Sequence, residues 1–222
     1  MQHIIVDLEF TPVEKKDIRK KLMQETIEIG AVKLDGEYRI VDSFDVYVKP
    51  EHSCVTKEIR NLTGIDGSQL ESAPSFDEAL DMLTAWIGDD TFRIYQWSEN
   101  DKYQIVKECR YKGVEKKQSV LCDKHWLDIQ RLYTRVFRKS RKPSLEYALT
   151  EVSVGIEGRM HCARDDARNT AYLLQTMAIK EKYLKAKEHI DKYVDTPKHS
   201  ATIGEIIRVD LSALYALCEE TL

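Results

Sequence analysis

Residues 3–10 of the 222-residue chain read HIIVDLEF, an apolar run that ends with two acids, Asp7 and Glu9. The apolar residues predict a buried strand, and the acids predict that its far end reaches a polar site. Because side chains alternate along a strand, Asp7 and Glu9 lie on one face and Leu8 on the other. Two partly buried carboxylates need a cation or a proton to neutralise them, and their oxygens suit Mg²⁺ or Mn²⁺. The same pair can also be ordinary surface acids at an exposed strand end.

The segments that follow predict a hairpin beside this strand. Residues 26–34 (TIEIGAVKL) and 39–48 (RIVDSFDVYV) alternate in polarity and are rich in β-branched residues. The pair Asp35-Gly36 between them is a hairpin turn signal. We therefore expect three antiparallel strands at the start of the chain.

Beyond Pro50 the pattern changes to helical spacing with short strands in between. Strands are predicted over 91–97 and 118–122. Helices are predicted over 55–62, 76–87, 101–112, 125–138, 144–150 and 162–187. An antiparallel start followed by β-α-β units implies an α/β fold with a mixed five-stranded sheet flanked by helices. Functional sites in such sheets lie at strand ends.

The chain is long enough for one domain and a short appendage. We assign residues 1–187 to one domain and residues 188–222 to a C-terminal helical extension that packs on the domain or is appended to it. The segment 203–222 can bind a protein partner, although a helix that closes its own domain is the commoner outcome. No stretch approaches about 18 apolar residues, so no membrane-spanning segment is expected.

Charge and cysteine content set broad limits on function. The five cysteines form no CxxC motif, which predicts reduced thiols and a cytoplasmic protein without structural zinc. A net charge of −4 gives no overall attraction for nucleic acid, so a polyanion must be held by a local basic surface or by bound cations. Two basic clusters are either such surfaces or solvated faces: Lys15, Lys16, Arg19, Lys20 and Lys21, and Arg135, Arg138, Lys139, Arg141 and Lys142.

Two further segments carry polar residues at predicted boundaries between elements. In HCARDDARNTAYLL, starting at His161, the histidine precedes a helix and Asp166 lies in its early turns, so both can face one cleft. A capping histidine and a solvated acidic face are the alternatives. In WSEND, residues 97–101, Asp101 follows a strand at the opening of a helix, where an N-terminal cap is equally expected.

Taken together, the motifs VDLEFT, WSEND and HCARDDARNTA resemble the DEDDh group of 3′–5′ exonucleases. Within that group the sequence is most similar to the branch that contains KapD and the ERI-1-type RNA exonucleases. The segments ETIEIGAV, over 25–32, and LTGI, over 62–65, support the resemblance. It covers roughly residues 3–180. Ser98, where this branch often has Gly, and Cys162, where it commonly has Arg or Asn, depart from the pattern without removing a ligand.

The resemblance implies a ribonuclease H-like fold and a metal-dependent exonuclease. It implies two divalent metal ions, Mg²⁺ or Mn²⁺, held by Asp7, Glu9, Asp101 and Asp166, with His161 as the general base. The expected substrate is single-stranded nucleic acid with a free 3′ end, RNA being favoured over DNA, and the product is a nucleoside 5′-monophosphate. The residues expected near the substrate, each of which can equally be core, are Phe10, Thr11, Leu62 and Ile65.

Two alternatives to this function remain open at the level of sequence. One is a catalytically silent module that binds nucleic acid, since a fold can persist after its chemistry is lost. The other is a proofreading exonuclease associated with a DNA polymerase. All five active positions hold competent residues, which argues against the silent module.

Overall fold

One mixed sheet of five strands organises the protein, as predicted. The structure is a computed structural model, and it describes residues 1–122, 124 and 126–193. The strands are β1 (Gln2–Pro12), β2 (Gln24–Leu34), β3 (Ile40–Tyr47), β4 (Phe92–Gln96) and β5 (Trp126–Asp128). Their order in the sheet is β3-β2-β1-β4-β5. The first three strands pair antiparallel, whereas β4 is parallel to both β1 and β5.

Helices occupy most of the remaining described chain. They are α1 (Lys16–Arg19), α2 (Lys57–Thr63), α3 (Gly67–Leu70), α4 (Phe76–Ile87), α5 (Asn100–Lys112), α6 (Ser119–Cys122), α7 (Ile129–Val136), α8 (Leu145–Glu151), α9 (Ala163–Ala178) and α10 (Lys180–Tyr193). Ser144 caps α8, because its side chain accepts a hydrogen bond from the Tyr147 amide. None of the described helices is long and apolar enough to cross a bilayer.

Each face of the sheet is covered by its own apolar core. On one face Ile5, Tyr95 and Tyr133 pack with Leu174 of α9 and with α7, α8 and α10. On the other face Ile4, Val6 and Leu8 pack with α4 and α5. Consecutive residues of β1 therefore enter opposite cores, which is why its first half is an unbroken apolar run.

Two predictions around the fifth strand are wrong. Residues 118–122, predicted as a strand, form the short helix α6, and the fifth strand is Trp126–Asp128. The helix predicted over 125–138 begins at Ile129 instead, where the Asp128 side chain accepts a hydrogen bond from the Arg131 amide. Three residues are too few to show an alternating pattern, so β5 is defined only by its pairing with β4.

The helix predicted over 162–187 is two helices. Ile179 is extended, with φ −96° and ψ 114°, and it ends α9 before α10 begins. The chain breaks there because α10 packs back on α9 and buries Ala186 and Ile190 in the first core. The helix α10 continues past residue 187 to Tyr193, whereas residues 194–222, including the segment 203–222, lie outside the described residues.

Candidate active site

The acidic pair of β1 lies on the sheet face that α9 covers. Ile5, two residues before Asp7, belongs to the core on the α9 side, whereas Leu8 belongs to the opposite core. Asp7 and Glu9 therefore share a face, as the alternation predicted. On the neighbouring strand β2, Asp7 lies opposite Gly30 and Glu9 lies opposite Glu28. Helix α9 packs against this same part of β1 and β2.

Asp101 reaches the same region from the first turn of α5. Its Oδ1 accepts a hydrogen bond of 3.2 Å from the amide of Leu8, between the two acids of β1. Its carboxylate is buried, and the residue that precedes the helix as its N-cap is Glu99. Asp101 is therefore directed at β1 rather than serving as the predicted cap.

Asp166 and His161 meet at the N-terminus of α9. The His161 amide donates a 2.9 Å hydrogen bond to Asp166 Oδ2, and His161 adopts φ 61°, which is uncommon for a residue other than glycine. The other oxygen of Asp166, Oδ1, is buried and has no hydrogen-bond partner among the described residues. One oxygen each of Glu9 and Asp166 and one ring nitrogen of His161 lie within 4.8 Å of one another.

The site carries more negative charge than its surroundings neutralise. Burial, followed by the nearby carboxylate of Asp101, raises the pKa of Asp7 well above its usual range. Burial also raises the pKa of Glu9 to about 8, with Asp166 as the next cause, while Arg159 acts weakly in the opposite direction. Burial raises the pKa of Asp101 to about 7 and that of Asp166 to about 6.

These observations fit divalent cations. Four carboxylates that repel one another are stabilised when a cation neutralises them, and hard cations prefer oxygen ligands. The Oδ1 of Asp166 is a buried acceptor without a hydrogen-bond partner among the described residues, whereas Oδ2 accepts from the His161 amide. The donors that lie within 4.8 Å of one another are Glu9, His161 and Asp166, and the carboxylates of Asp7 on β1 and Asp101 on α5 repel each other nearby.

The four residues predicted near the substrate differ in accessibility. Leu62 is 46% exposed, and Phe10 is partly buried against the core on the α5 side. Ile65 is buried in a small cluster with Ile27 and Leu70. Thr11 is fully buried, and its hydroxyl donates to the carbonyl of Cys54. Leu62 and Phe10 are thus the members of this group that retain accessible surface.

Glu28 is a site residue that the sequence analysis did not single out. It lies opposite Glu9, and its Oε2 accepts a 2.9 Å hydrogen bond from the amide of Ala163, the first residue of α9. Cys162, the N-cap residue, makes no capping bond with its own side chain, so β2 supplies the cap. Burial raises the pKa of Glu28 to about 7. The register between β1 and β2, which places Glu9 opposite Glu28, is the signal that could have found it.

The loop before His161 is held by side chains from the first turns of α9. Asp165 Oδ2 accepts from the Arg159 amide at 2.9 Å, and Asn169 Oδ1 accepts from the Glu157 amide at 3.0 Å. Together with the bond from His161 to Asp166, they fix the loop backbone at alternate residues. This explains why the motif that begins at His161 is rich in polar residues throughout.

Comparison with known proteins agrees with this geometry. The chain matches the RNase T family model, described as exonuclease, over residues 4–174. It is 28% identical over 213 residues to ERI1 exoribonuclease 2 of Xenopus laevis, which covers 85% of this chain and 30% of that protein. It is 27% identical over 213 residues to the probable 3′–5′ exonuclease KapD of Bacillus subtilis, which covers 95% of each. The chain thus spans about a third of the length of the ERI1 exoribonuclease 2 relatives.

A solved structure is similar over most of the chain. The nuclease domain of 3′hExo, a DEDDh family member bound to rAMP, superposes with a TM-score of 0.69 at 23% identity, over 80% of this chain and 91% of that chain. The resemblance to DEDDh exonucleases and the five-stranded mixed sheet expected from it are both confirmed. The chain therefore belongs to the RNase T exonuclease family and has the ribonuclease H-like fold of DEDDh nucleases.

Proposed function

We propose that this chain is a metal-dependent 3′–5′ exonuclease that hydrolyses phosphodiester bonds of single-stranded nucleic acid. The observation that carries the proposal is the buried, unpartnered Oδ1 of Asp166 beside Glu9 and His161. A buried carboxylate oxygen without a partner is costly unless a ligand satisfies it. The match to the exonuclease family supports a divalent cation as this ligand and hydrolysis of a phosphodiester bond as the reaction.

Asp7, Glu9, Asp101 and Asp166 would hold two divalent cations, Mg²⁺ or Mn²⁺. Bound cations of this kind neutralise the charge of the phosphodiester and lower the pKa of a bound water. Backbone amides hold two of the four carboxylates in place: Asp101 is fixed by the Leu8 amide and Asp166 by the His161 amide. The raised pKa values of the four acids indicate that the site favours bound cations or protons over bare charge.

His161 is our choice for the general base. It is exposed, its backbone amide holds Asp166, and one of its ring nitrogens lies within 4.8 Å of carboxylate oxygens of Glu9 and Asp166. General base catalysis by histidine is worth about 10²–10⁴-fold in rate. In this assignment His161 takes the proton of the attacking water, and the chain releases a nucleoside 5′-monophosphate.

RNA is the substrate we favour over DNA. The relatives named above include an exoribonuclease, and the similar solved nuclease domain carries rAMP. Leu62, with its exposed side chain, and Phe10 are the apolar surfaces on which a terminal base can stack. Discrimination between the two substrates would depend on contacts to the 2′-hydroxyl.

The test is digestion of 5′-labelled single-stranded RNA and DNA of one sequence, with Mg²⁺ or Mn²⁺. Wild-type protein is compared with Asp7→Ala and His161→Ala, and with Asp191→Asn as a control for an exposed acid on α10. We expect a ladder that shortens from the 3′ end, is abolished by EDTA and by both site substitutions, and persists in the control. Cleavage of circular strands would rule out an exonuclease, and binding without any degradation would support the silent module.

A further inference from the structure

One arginine connects two parts of the site that are far apart in sequence. The guanidinium Nη2 of Arg159 donates a 3.0 Å hydrogen bond to the carbonyl of Leu62, near the end of α2. The backbone amide of the same arginine donates to Asp165 Oδ2 on α9. Arg159 therefore links α2 to the loop that leads into His161, two residues further along the chain.

Glycines on both sides make room for this link. A Cβ at Gly64 would lie 1.5 Å from Arg159 Nη1, and a Cβ at Gly158 would lie 2.2 Å from Asp165 Oδ2. Both glycines also have positive φ, 70° and 71°, which residues with a side chain seldom adopt. The backbone on each side is thus shaped around the arginine and its anchoring aspartate.

Hydrogen bonds and a small apolar cluster hold the α2 end of the link in place. The carbonyl of Leu62 belongs to the last turn of α2, where carbonyls lack partners within the helix. The hydroxyl of Thr63 bonds the Ile59 carbonyl and accepts from the Ile65 amide, and Ile65 is buried with Ile27 and Leu70. The exposed Leu62 side chain therefore stands on a segment that is anchored in its own small core.

We propose that Arg159 is a positioning residue that places His161 relative to the surface on which the 3′-terminal base stacks. This inference rests on the proposed function. When a base docks on Leu62, the link transmits its position to the His161 loop, so that base binding and placement of the general base occur together. Loss of the link removes no metal-binding carboxylate, but a base docked on Leu62 then no longer fixes the position of the His161 loop. Because small misplacements of catalytic groups reduce the rate steeply, the effect falls on kcat more than on KM.

The test compares Arg159→Met with wild type on two single strands that differ only in whether the 3′-terminal nucleotide carries a base. We expect kcat to fall about tenfold on the strand with the base and less than about twofold on the abasic strand. Arg159→Lys, which keeps the charge, is expected to have a kcat on the strand with the base that lies between those of wild type and Arg159→Met. The control is Arg168→Met, which removes the ion pair between Arg168 of α9 and Glu157 of the same loop without touching α2. Equal losses on both strands, or no loss, would overturn the proposal.

Hydrogen exchange gives a readout that does not depend on activity. In Arg159→Met we expect faster amide exchange in both segments 57–66 and 157–162, whereas Arg168→Met leaves 57–66 at the wild-type rate. Wild-type exchange in 57–66 of Arg159→Met would show that no link exists. If the wild-type protein cuts neither strand, the proposed function and the positioning role of Arg159 fail together, and the exchange data alone decide whether the link is present.

Discussion

Gly30 of β2 and Ala163 of α9 approach so closely that no side chain fits between them. A Cβ on Gly30 would lie 2.1 Å from the carbonyl carbon of Ala163 and 2.1 Å from the amide nitrogen of Arg164. Gly30 is also the residue opposite Asp7 in the sheet. The absence of a side chain at this position thus sets the distance between the acids of β1 and Asp166 of α9.

The first prediction concerns Gly30→Ala. Overpacking of a close contact costs about 1–3 kcal/mol, and here the clash is with backbone, so we expect a loss of about 3 kcal/mol or more in the free energy of unfolding. Exonuclease activity should fall further than the folded fraction does, because α9 is pushed away from β1. Urea unfolding and a 3′-end digestion assay measure the two effects. Gly67→Ala, where an added Cβ meets nothing within 4 Å, is the control, and equal stability of both variants would contradict the prediction.

The sequence predicted the part of the fold that depends on local pattern. The hairpin of β2 and β3 and the helices predicted over 76–87 and 101–112 are all found in the structure. The strand β5 was missed because three residues carry no period, and the break at Ile179 because it depends on where α10 packs. Pairing between distant segments decides both features, and a local pattern does not contain it.

The candidate site was likewise predicted only in part. The acids of β1, Asp101 and the His161–Asp166 pair were expected to meet because the motifs that carry them resemble those of DEDDh exonucleases. Glu28 and Arg159 were missed since their roles depend on partners that only the folded chain brings near: the Ala163 amide in one case and the Leu62 carbonyl in the other. Charged residues with such partners look like surface residues in the sequence.

The second prediction separates the capping role of Glu28 from its charge. In Glu28→Gln an oxygen is retained to accept from the Ala163 amide, whereas Glu28→Ala leaves that amide without a partner and should cost about 1–3 kcal/mol. Because the folded-state pKa of Glu28 is raised to about 7, its contribution to stability is complete below about pH 4.5 and is lost as the pH rises through 7. We therefore expect metal-free wild type to lose up to about 3 kcal/mol relative to Glu28→Gln between these pH values. The measurement is urea unfolding of wild type and Glu28→Gln at a series of pH values. The same dependence of the unfolding free energy on pH in both proteins would contradict this assignment.

The third prediction concerns metal removal. The raised pKa values of Glu9 and Asp101, about 8 and about 7, mean that the metal-free protein is stabilised by bound protons and loses stability as the pH rises through this range. A divalent cation replaces those protons, so the increase in Tm on adding Mn²⁺ to EDTA-treated protein should be larger at pH 8 than at pH 6. At about 100 times its Kd the ion contributes about 2.7 kcal/mol. Asp166→Asn should reduce the shift, and an equal shift in that variant would argue against a metal at Asp166.

The last prediction concerns a basic arm, residues 13–23, which continues directly from β1. Val13 and Leu22 are fully buried and the Val13 amide bonds the Met23 carbonyl, so the arm is anchored at both ends. Its five cations, Lys15, Lys16, Arg19, Lys20 and Lys21, are exposed and form no ion pair among the described residues. The second basic cluster differs, because Lys139 pairs with the buried Glu151 and Lys142 with Asp128.

The arm begins four residues after Glu9, about 13 Å along the strand, within reach of the nucleotides that precede the one being removed. We expect that replacing Lys16, Lys20 and Lys21 with Gln weakens binding of a ten-nucleotide single strand and lowers the salt dependence of its log K by about 0.7 per lysine that contacts a phosphate. Cleavage of a dinucleotide should be unchanged, since it does not extend to the arm. The same replacement of Lys180, Lys185 and Lys192 on α10 is the charge-matched control. Equal weakening by both triple variants would mean that only net charge matters, and the arm would then be a solvated face.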